Sequence, residues 1–296
     1  MRFRELRRIV VVGQGTAGLE IQAMRCIYLD APEFPQLLRE ISNPPTCLWA
    51  RGDVSLLGAT AIAVVGARAA TRDGLEIAYQ IAADLTRVGI VVVSGLARGV
   101  DAAAHTGALD AGGKTIAVLG TGIDRAYPAE NKALHERVAT EGLLITEFPP
   151  GSPPDLFHFP QRNRIISGLS KAVVVVEARE KSGSLITARL AGDQGRDVMV
   201  VPGPTRSGQN RGGHALLRDG AKLVESAVDI LQELGLDSAG VPARESLQTV
   251  EFTVDEIAAQ LGVSAGEALA RLLEWELTGQ IQRIGSGRFV RSQSKV

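Results

Sequence analysis

Short runs rich in valine and isoleucine alternate with longer amphipathic stretches from residue 60 to about residue 235. The runs predict strands at 61–66, 90–94, 115–119, 143–147, 172–176 and 198–201. Nearly continuous apolar strands are typical of a parallel sheet that helices cover on both faces. The segments between the runs are long enough for crossover helices, so we predict a doubly wound α/β domain.

The apolar pattern divides the chain into four segments. Residues 60–236 carry the sheet pattern, and residues 1–59 form an N-terminal extension and lead-in segment. Residues 237–249 lack periodicity and predict a linker, so residues 250–296 form a separate small domain.

The small C-terminal domain carries the pattern of a winged helix-turn-helix. Thr253–Glu256 and Ser264–Glu267 each spell a capping box that begins a helix, and Gly262 lies between them as the turn. Residues 281–290 alternate about a Gly-Ser-Gly turn and predict a hairpin.

The second helix of this domain, at about 265–277, is more acidic than basic. It carries three glutamates, Glu267, Glu274 and Glu276, and one arginine, Arg271. This net negative charge disfavours contact with phosphates, so a protein contact or a regulatory role is favoured. Arg283, Arg288 and Arg291 in the predicted wing leave a weak DNA contact open.

Composition limits the class of protein. The formal charge of −1 excludes a generally basic protein that coats nucleic acid, yet residues 160–214 carry nine Lys and Arg against four Asp and Glu. The two cysteines are far apart in sequence and spell no zinc motif. The apolar run at 9–12 is too short for a membrane span or signal-peptide core, so we expect a soluble cytoplasmic protein.

The N-terminal segment 9–18 matches a strand followed by a GxGxxG dinucleotide fingerprint, with Asp30 near the ribose-binding position. Prolines at 32, 35, 44 and 45 interrupt the helix and strand that such a fold would need next. We therefore interpret the match as incidental and predict no cofactor.

Three loops that follow predicted strands have the composition of phosphate sites. Arg68 follows Gly66 after the first strand, and Gly95 and Gly99 bracket Arg98 before a helix. Glycines allow positive φ and expose N–H groups in a concave anion nest. Segment 181–184, Lys-Ser-Gly-Ser, begins another helix, where free N–H groups favour phosphate. Several such loops on one sheet favour a polymer, so we predict a nucleic-acid binder.

Other interpretations of the same residues stay open. Gly95 and Gly99 also suit a tight turn in which Asp101 caps the helix, and Arg68 also suits a surface ion pair. Asp101 and His105 lie four residues apart without a third metal ligand, so His105 is predicted to be a buried structural histidine. The remaining histidines and serines spell no triad, and no enzymatic activity is predicted.

Five motifs together resemble the DNA-processing protein A (DprA/Smf) family over residues 35–235. They are segment 94–101 with His105, segment 122–124 with Tyr127, Pro128 and Asn131, segment 159–166, segment 177–178 with 181–184, and segment 201–203.

The resemblance implies an extended Rossmann-like, mostly parallel sheet that binds single-stranded DNA, forms homodimers and loads the RecA recombinase in natural transformation. It implies phosphate ligands at Arg68, Arg98, Arg162, Arg164 and Lys181, with donors at Ser94, Gly95, Gly99, Ser182, Gly183 and Ser184 and with Asn163 in the same site. It also implies a possible base-stacking role for Phe159, for which core packing is the alternative. Relatives commonly carry a SAM-like domain before the sheet, and residues 1–30 are expected to be too few to form one.

The favoured interpretation is a non-catalytic, ATP-independent recombination mediator. One alternative is a Rossmann-like enzyme or sensor for a small nucleotide, because related sheets with glycine loops bind or cleave nucleotides. A second is a sequence-specific transcription factor that acts through the winged helix, which the acidic second helix disfavours.

Overall fold

The structure is a computed structural model that describes residues 24–241, 252–277, 281–285 and 288–291. The chain divides into two compact units, residues 1–241 and 242–296, and the division falls inside the predicted linker. The GxGxxG match at 9–18 lies outside the described residues. Asp30 lies in an exposed turn.

Within the described residues of the first unit, nine strands form one mixed sheet in the order β1-β2-β6-β5-β4-β3-β7-β8-β9. The strands are β1 Arg25–Tyr28, β2 Cys47–Gly52, β3 Ala61–Val65, β4 Val91–Ser94, β5 Thr115–Val118, β6 Leu143–Thr146, β7 Ala172–Val175, β8 Asp197–Val200 and β9 Lys222–Leu223. Strands β3 to β9 run parallel, as predicted, and β1 and β2 add an antiparallel edge.

All six strands predicted from the apolar runs are present, within one or two residues of their predicted bounds. Strands β1, β2 and β9 were not expected from the apolar pattern of the sequence. Strands β1 and β2 come from the segment assigned to the N-terminal extension, but they pair with each other and with β6 and so complete the sheet.

Helices cover both faces of the sheet. They are α1 Gln36–Arg39, α2 Arg72–Arg87, α3 Val100–Asp110, α4 Lys132–Glu141, α5 His158–Gly168, α6 Ser184–Asp193, α7 Arg211–Arg218 and α8 Ala227–Glu233. Alternate residues of β3 enter two separate cores: Ala63 packs in the core that contains α5 and α6, and Ile62 in the core that contains α2 and α3. This two-sided burial explains why the strands are uninterrupted apolar runs.

The strand order reverses beside β3. The chain proceeds from β3 through β4, β5 and β6 on one side, and then returns to β7 on the other side of β3. Because the crossover connections diverge at this point, a crevice opens beyond the carboxyl ends of β3 and β7.

The loop between β4 and α3 is held by a buried histidine, as predicted for His105. The Thr115 hydroxyl donates to the carbonyl of Val92 at 2.7 Å and lies 2.7 Å from His105 Nδ1, so it accepts the Nδ1 proton. The opposite nitrogen, Nε2, then accepts the N–H of Leu96 at 3.3 Å. Leu96 has a φ of 53°, unusual for a non-glycine residue, and this hydrogen bond helps to hold it there.

The second unit has the predicted winged-helix elements. Two helices, α9 Val254–Leu261 and α10 Ala265–Leu277, are joined at Gly262, which has a φ of 64°. Both predicted capping boxes form. The three-stranded sheet has the order β10-β12-β11, with β10 Phe252–Thr253, β11 Ile281–Gly285 and β12 Arg288–Arg291.

One close helix contact in the first unit yields a test of packing. A Cβ added to Gly107 in α3 would lie 2.1 Å from the backbone oxygen of Tyr79 in α2, whereas one added to Gly192 in α6 would meet nothing within 4 Å. We expect Gly107→Ala to lower the free energy of unfolding by about 1–3 kcal/mol, because the helices must separate. Urea denaturation measures the change, and Gly192→Ala is the matched control, expected to be neutral or slightly stabilising. Equal stability of the two variants would contradict this packing.

Burial of His105 yields a pH dependence of stability. Desolvation, reinforced by the nearby positive charge of Arg162, lowers the pKa of His105 from 6.5 to about 3. Below pH 6.5 the unfolded chain therefore binds a proton that the folded chain excludes, so stability is complete above this pH and falls as the pH drops. This residue alone is expected to cost roughly 2 kcal/mol between pH 8 and pH 5. Unfolding titrations at both pH values should show a loss smaller by that amount in His105→Gln; an unchanged loss would contradict the assignment.

Candidate nucleic-acid interface

A cavity of about 480 Å³ opens at the crevice beyond the carboxyl ends of β3 and β7. Three segments supply most of its walls: the loop after β3, the first half of α5, and the loop that leads from β7 into α6. The lining includes Arg68, Phe159, Arg162, Asn163, Lys181, Ser182, Gly183 and Ser184. Eight of the thirteen residues of the predicted site thus line one cavity.

Two cations at the mouth of this cavity are available to a ligand. Arg68 follows β3 and Lys181 follows β7, and both side chains are exposed. Among the described residues, no carboxylate forms an ion pair with either of them. Since β3 and β7 are neighbours, the two positive charges converge on one rim of the sheet.

The N-terminus of α6 borders the same wall. The helix begins at Ser184, whose N–H donates to the Ser182 hydroxyl at 3.4 Å, and its N-cap residue Gly183 supplies no side-chain hydrogen bond. The hydroxyls of Ser182 and Ser184 lie 2.7 Å apart, and the carbonyls of Ser182 and Gly183 accept the N–H groups of Leu185 and Ile186. The helix therefore directs its positive end toward the cavity, an arrangement that favours an anion.

Arg162 is the floor of the cavity, and its guanidinium binds backbone carbonyls. Its side chain is buried, and its guanidinium donates to the carbonyls of Gly95, at 2.6 Å, and Val118. Burial lowers the pKa of Arg162 to about 10; the negative charge of Asp101 opposes this shift and the positive charge of Arg68 adds to it. The donors of Arg162 thus tie α5 to the ends of β4 and β5, and phosphate binding by this residue stays a prediction.

The glycine loop after β4 binds the carboxylate of Asp101, a residue of the same chain. Asp101 Oδ2 accepts the N–H groups of Gly95, at 3.1 Å, and Ala97, at 3.4 Å. Burial raises the pKa of Asp101, while the positive charge of Arg162 lowers it. The anion nest expected from the sequence is therefore present, but the anion that it binds is the Asp101 carboxylate.

The predicted donors of this loop have structural roles. A Cβ on Gly95 would lie 2.2 Å from the Arg162 guanidinium, and one on Gly99 would lie 2.2 Å from the carbonyl of Ala67. The Ser94 hydroxyl is buried and donates to the carbonyl of Val64 at 2.7 Å. In this structure the Ser94 hydroxyl and the Gly95 N–H have internal partners, and donation to a ligand from this loop stays a prediction.

Two further predicted phosphate ligands are paired with carboxylates and lie outside the cavity lining. Arg164 forms a two-pronged ion pair with Glu147, at 2.5 and 2.7 Å, and donates to the carbonyl of Asn43. Arg98 is exposed but pairs with Glu130 at 2.5 Å. In this structure both charges are paired with carboxylates, so neither residue is one of the unpaired cations at the cavity, and phosphate binding by Arg98 and Arg164 stays a prediction.

Phe159 lies between the cavity and an aromatic neighbour. The Arg68 guanidinium is 5.6 Å from the centroid of its ring, and the Tyr127 ring centroid is 5.4 Å away. A Cβ on Gly120 would lie 2.7 Å from the Phe159 ring, so the ring packs on bare backbone. Phe159 thus supports Arg68 and Tyr127, and a partly exposed face is left for a ligand.

Arg179, Leu156 and Tyr127 are among the residues near the cavity that the predicted site did not include. Arg179 and Leu156 line it, and Tyr127, which is 45% exposed, contacts Phe159. Arg179 stands two residues before Lys181, so the local excess of positive charge was its signal. Leu156 carried no signal, because an isolated apolar residue in a loop does not reveal which surface it borders.

The described residues contain no cluster of three or more histidine, cysteine, aspartate or glutamate side chains that could hold a metal ion. None of their helices has both the length and the apolar character needed to cross a bilayer.

Comparisons with known proteins cover both units. The family model described as DNA recombination-mediator protein A matches residues 25–235, and the DprA winged helix domain matches residues 230–287. DNA processing protein DprA of Streptococcus pneumoniae is 46% identical over 200 residues, which are 68% of this chain and 71% of that protein. Protein Smf of Escherichia coli is 38% identical over an alignment of 280 residues, and the match covers 87% of this chain and 75% of the relative.

Two solved structures have the same sheet architecture. The S. pneumoniae DprA structure superposes with a TM-score of 0.69 at 44% identity and covers 72% of this chain and 75% of its own. A structure of DNA processing protein A from Helicobacter pylori, described for its single-stranded DNA binding mode, has a TM-score of 0.63 at 31% identity and covers 68% and 92%. The predicted fold class is confirmed, and the chain belongs to the DNA recombination-mediator protein A (DprA/Smf) family.

Proposed function

We propose that this chain binds single-stranded DNA through its phosphate backbone in the cavity beyond β3 and β7. The observation that carries the proposal is the convergence of two exposed, unpaired cations, Arg68 and Lys181, with the N-terminus of α6. Phosphates are the ligands that cations and helix N-termini hold best, and a row of them suits an open crevice. The H. pylori relative described for single-stranded DNA binding supports the same class of ligand.

The role is binding rather than catalysis. Two residues of types common in catalysis make internal hydrogen bonds instead. Asp101 accepts the N–H of Gly95, and His105 accepts the N–H of Leu96. Ser182 and Ser184 pair with each other. This distribution leaves the cavity with the positive charges of Arg68 and Lys181 and the positive end of α6, which suit the binding of a polyanion.

The wider role is that of a cytoplasmic recombination mediator. The chain, as a homodimer, protects incoming single strands and presents them to RecA recombinase in natural transformation. The family description as a recombination mediator supports the first half of this statement, and the resemblance of the motifs supports the second. The alternative of a small-nucleotide enzyme or sensor receives no specific support from the cavity, which opens along the sheet rim and shares its mouth with exposed apolar side chains.

The salt dependence of binding tests whether the cavity binds the phosphate backbone of DNA. Each phosphate contact releases counterions, so for single strands the slope of log affinity against log salt is about −0.7 per contact. We expect Lys181→Ala to weaken oligothymidylate binding and to make this slope shallower by about 0.7. Fluorescence anisotropy at several salt concentrations measures both quantities.

A matched control for this variant exists on the opposite rim of the sheet. Lys171 is exposed and directly precedes β7, so Lys171→Ala removes the same charge from the other end of the same strand. It should leave the affinity and the slope unchanged. If Lys181→Ala and Arg68→Ala both bound like wild type, the proposed site would be wrong.

RecA presentation can be tested with the same variants. We expect the wild-type chain to shorten the lag before RecA hydrolyses ATP on single-stranded DNA that carries a competing binding protein. Lys181→Ala should lose this effect and Lys171→Ala should keep it, because presentation requires the strand to be held. A Lys181→Ala protein that binds DNA poorly but still abolishes the lag would rule out presentation from this cavity.

A further inference from the structure

Two large apolar side chains stand exposed beside the cavity. Leu156 is 86% exposed and Phe157 is 83% exposed, the highest values among the large apolar residues that the structure describes. Both directly precede α5, the helix that carries Arg162 and Asn163. Adjacent exposed apolar side chains cost solvation free energy, so their position indicates a contact that the isolated chain does not make.

The loop holds these two side chains in a defined conformation. The N–H of Phe157 donates to Asp155 Oδ1 at 2.7 Å, and the N–H of His158 donates to the carbonyl of Asp155 at 3.1 Å. The His158 ring stacks on Phe148 at 3.8 Å, so the residue after the pair is anchored on the body of the domain. Leu156 and Phe157 are therefore presented by a structured turn.

The apolar pair continues into the cavity that holds the free cations. Leu156 lines the cavity together with Arg68, Phe159 and Lys181. This continuity decides the chemistry of the partner, which must offer negative charge to the cations and an apolar face to the neighbouring rim. An unpaired polynucleotide has both features, since its phosphates and the faces of its bases lie a few ångströms apart along the same chain.

We propose that Leu156 and Phe157 form a base-contacting rim, on which bases pack while Arg68, Lys181 and the N-terminus of α6 hold the adjoining phosphates. The inference rests on the proposed function and adds to it the means by which unpaired strands are selected. In a duplex the base faces are stacked on one another and are not available to a protein side chain. Stacking accepts any base, so the rim selects single strands without reading sequence.

A second copy of this chain is the competing occupant of the rim. The location of the pair argues against this occupant, because Leu156 lines a cavity that also contains Arg68 and Lys181, and Phe157 directly follows Leu156 in the chain. A second copy that packed there would bring its own cations to the same rim, and like charges would oppose the contact.

The experiment separates bases from phosphates. We expect Phe157→Ser to weaken binding of oligothymidylate by about fivefold or more, with Leu156→Ser smaller in effect, since one stacked base contributes ~1–3 kcal/mol. The salt slope should stay at the wild-type value, because no phosphate contact is lost. An abasic oligonucleotide of equal length and charge should bind wild type and Phe157→Ser equally.

A control variant and two further measurements distinguish loss of the rim from loss of the phosphate contacts and from self-association. Tyr28 is 50% exposed on β1, at the far edge of the sheet, so Tyr28→Ser removes an exposed aromatic ring remote from the cavity and should bind like wild type. If Phe157→Ser bound both oligonucleotides like wild type while Lys181→Ala still lowered the salt slope, the rim would be refuted and the phosphate grip retained. A change in sedimentation of Phe157→Ser without DNA would assign the rim to a second copy and overturn the proposal.

Discussion

The buried guanidinium of Arg162 is the interaction on which the geometry of the site depends. It crosses from α5 to the carbonyls at the ends of β4 and β5, and its charge faces Asp101, which holds the glycine loop. Without this side chain, the carbonyls of Gly95 and Val118 would lose a charged donor, and the buried carboxylate of Asp101 would lose its nearby positive charge and keep only its N–H donors. The floor of the cavity is therefore electrostatically balanced, and the unbalanced positive charge lies at its mouth.

Most of the sheet was predictable, because a strand that is buried on both faces is an uninterrupted run of apolar residues. Six uninterrupted apolar runs identified six strands, and the capping boxes identified both helices of the winged-helix unit. The antiparallel edge was not predictable, since β2 mixes Cys47, Trp49 and Arg51 and its pairing with β6 is a tertiary choice. Strand order, which places the cavity between β3 and β7, likewise has no local signature.

The candidate site was predictable as a set of segments but not as a set of roles. Arg162 and Arg164 lie two positions apart in one motif, yet one binds backbone carbonyls and the other binds Glu147. Whether an arginine is free depends on carboxylates and carbonyls that are distant in sequence, so charge counting overstated the available positive charge. The role of a glycine was equally ambiguous in sequence. Gly95 and Gly99 allow another group to lie close to the backbone, but the groups that do so are the Arg162 guanidinium and the Ala67 carbonyl, not a ligand.

This division of roles explains why recognisable motifs and ligand contacts need not coincide. The motif residues Asp101, His105 and Arg162 maintain the crevice, and their exchange would alter the fold before it altered binding. Residues at the mouth, such as Lys181 and Phe157, are exposed and have few internal partners, so they are able to vary with the ligand at little cost in stability. Under the proposed function, selectivity within such a fold would therefore reside at the rim, where positive charge would contact the DNA backbone and apolar surface would contact the bases.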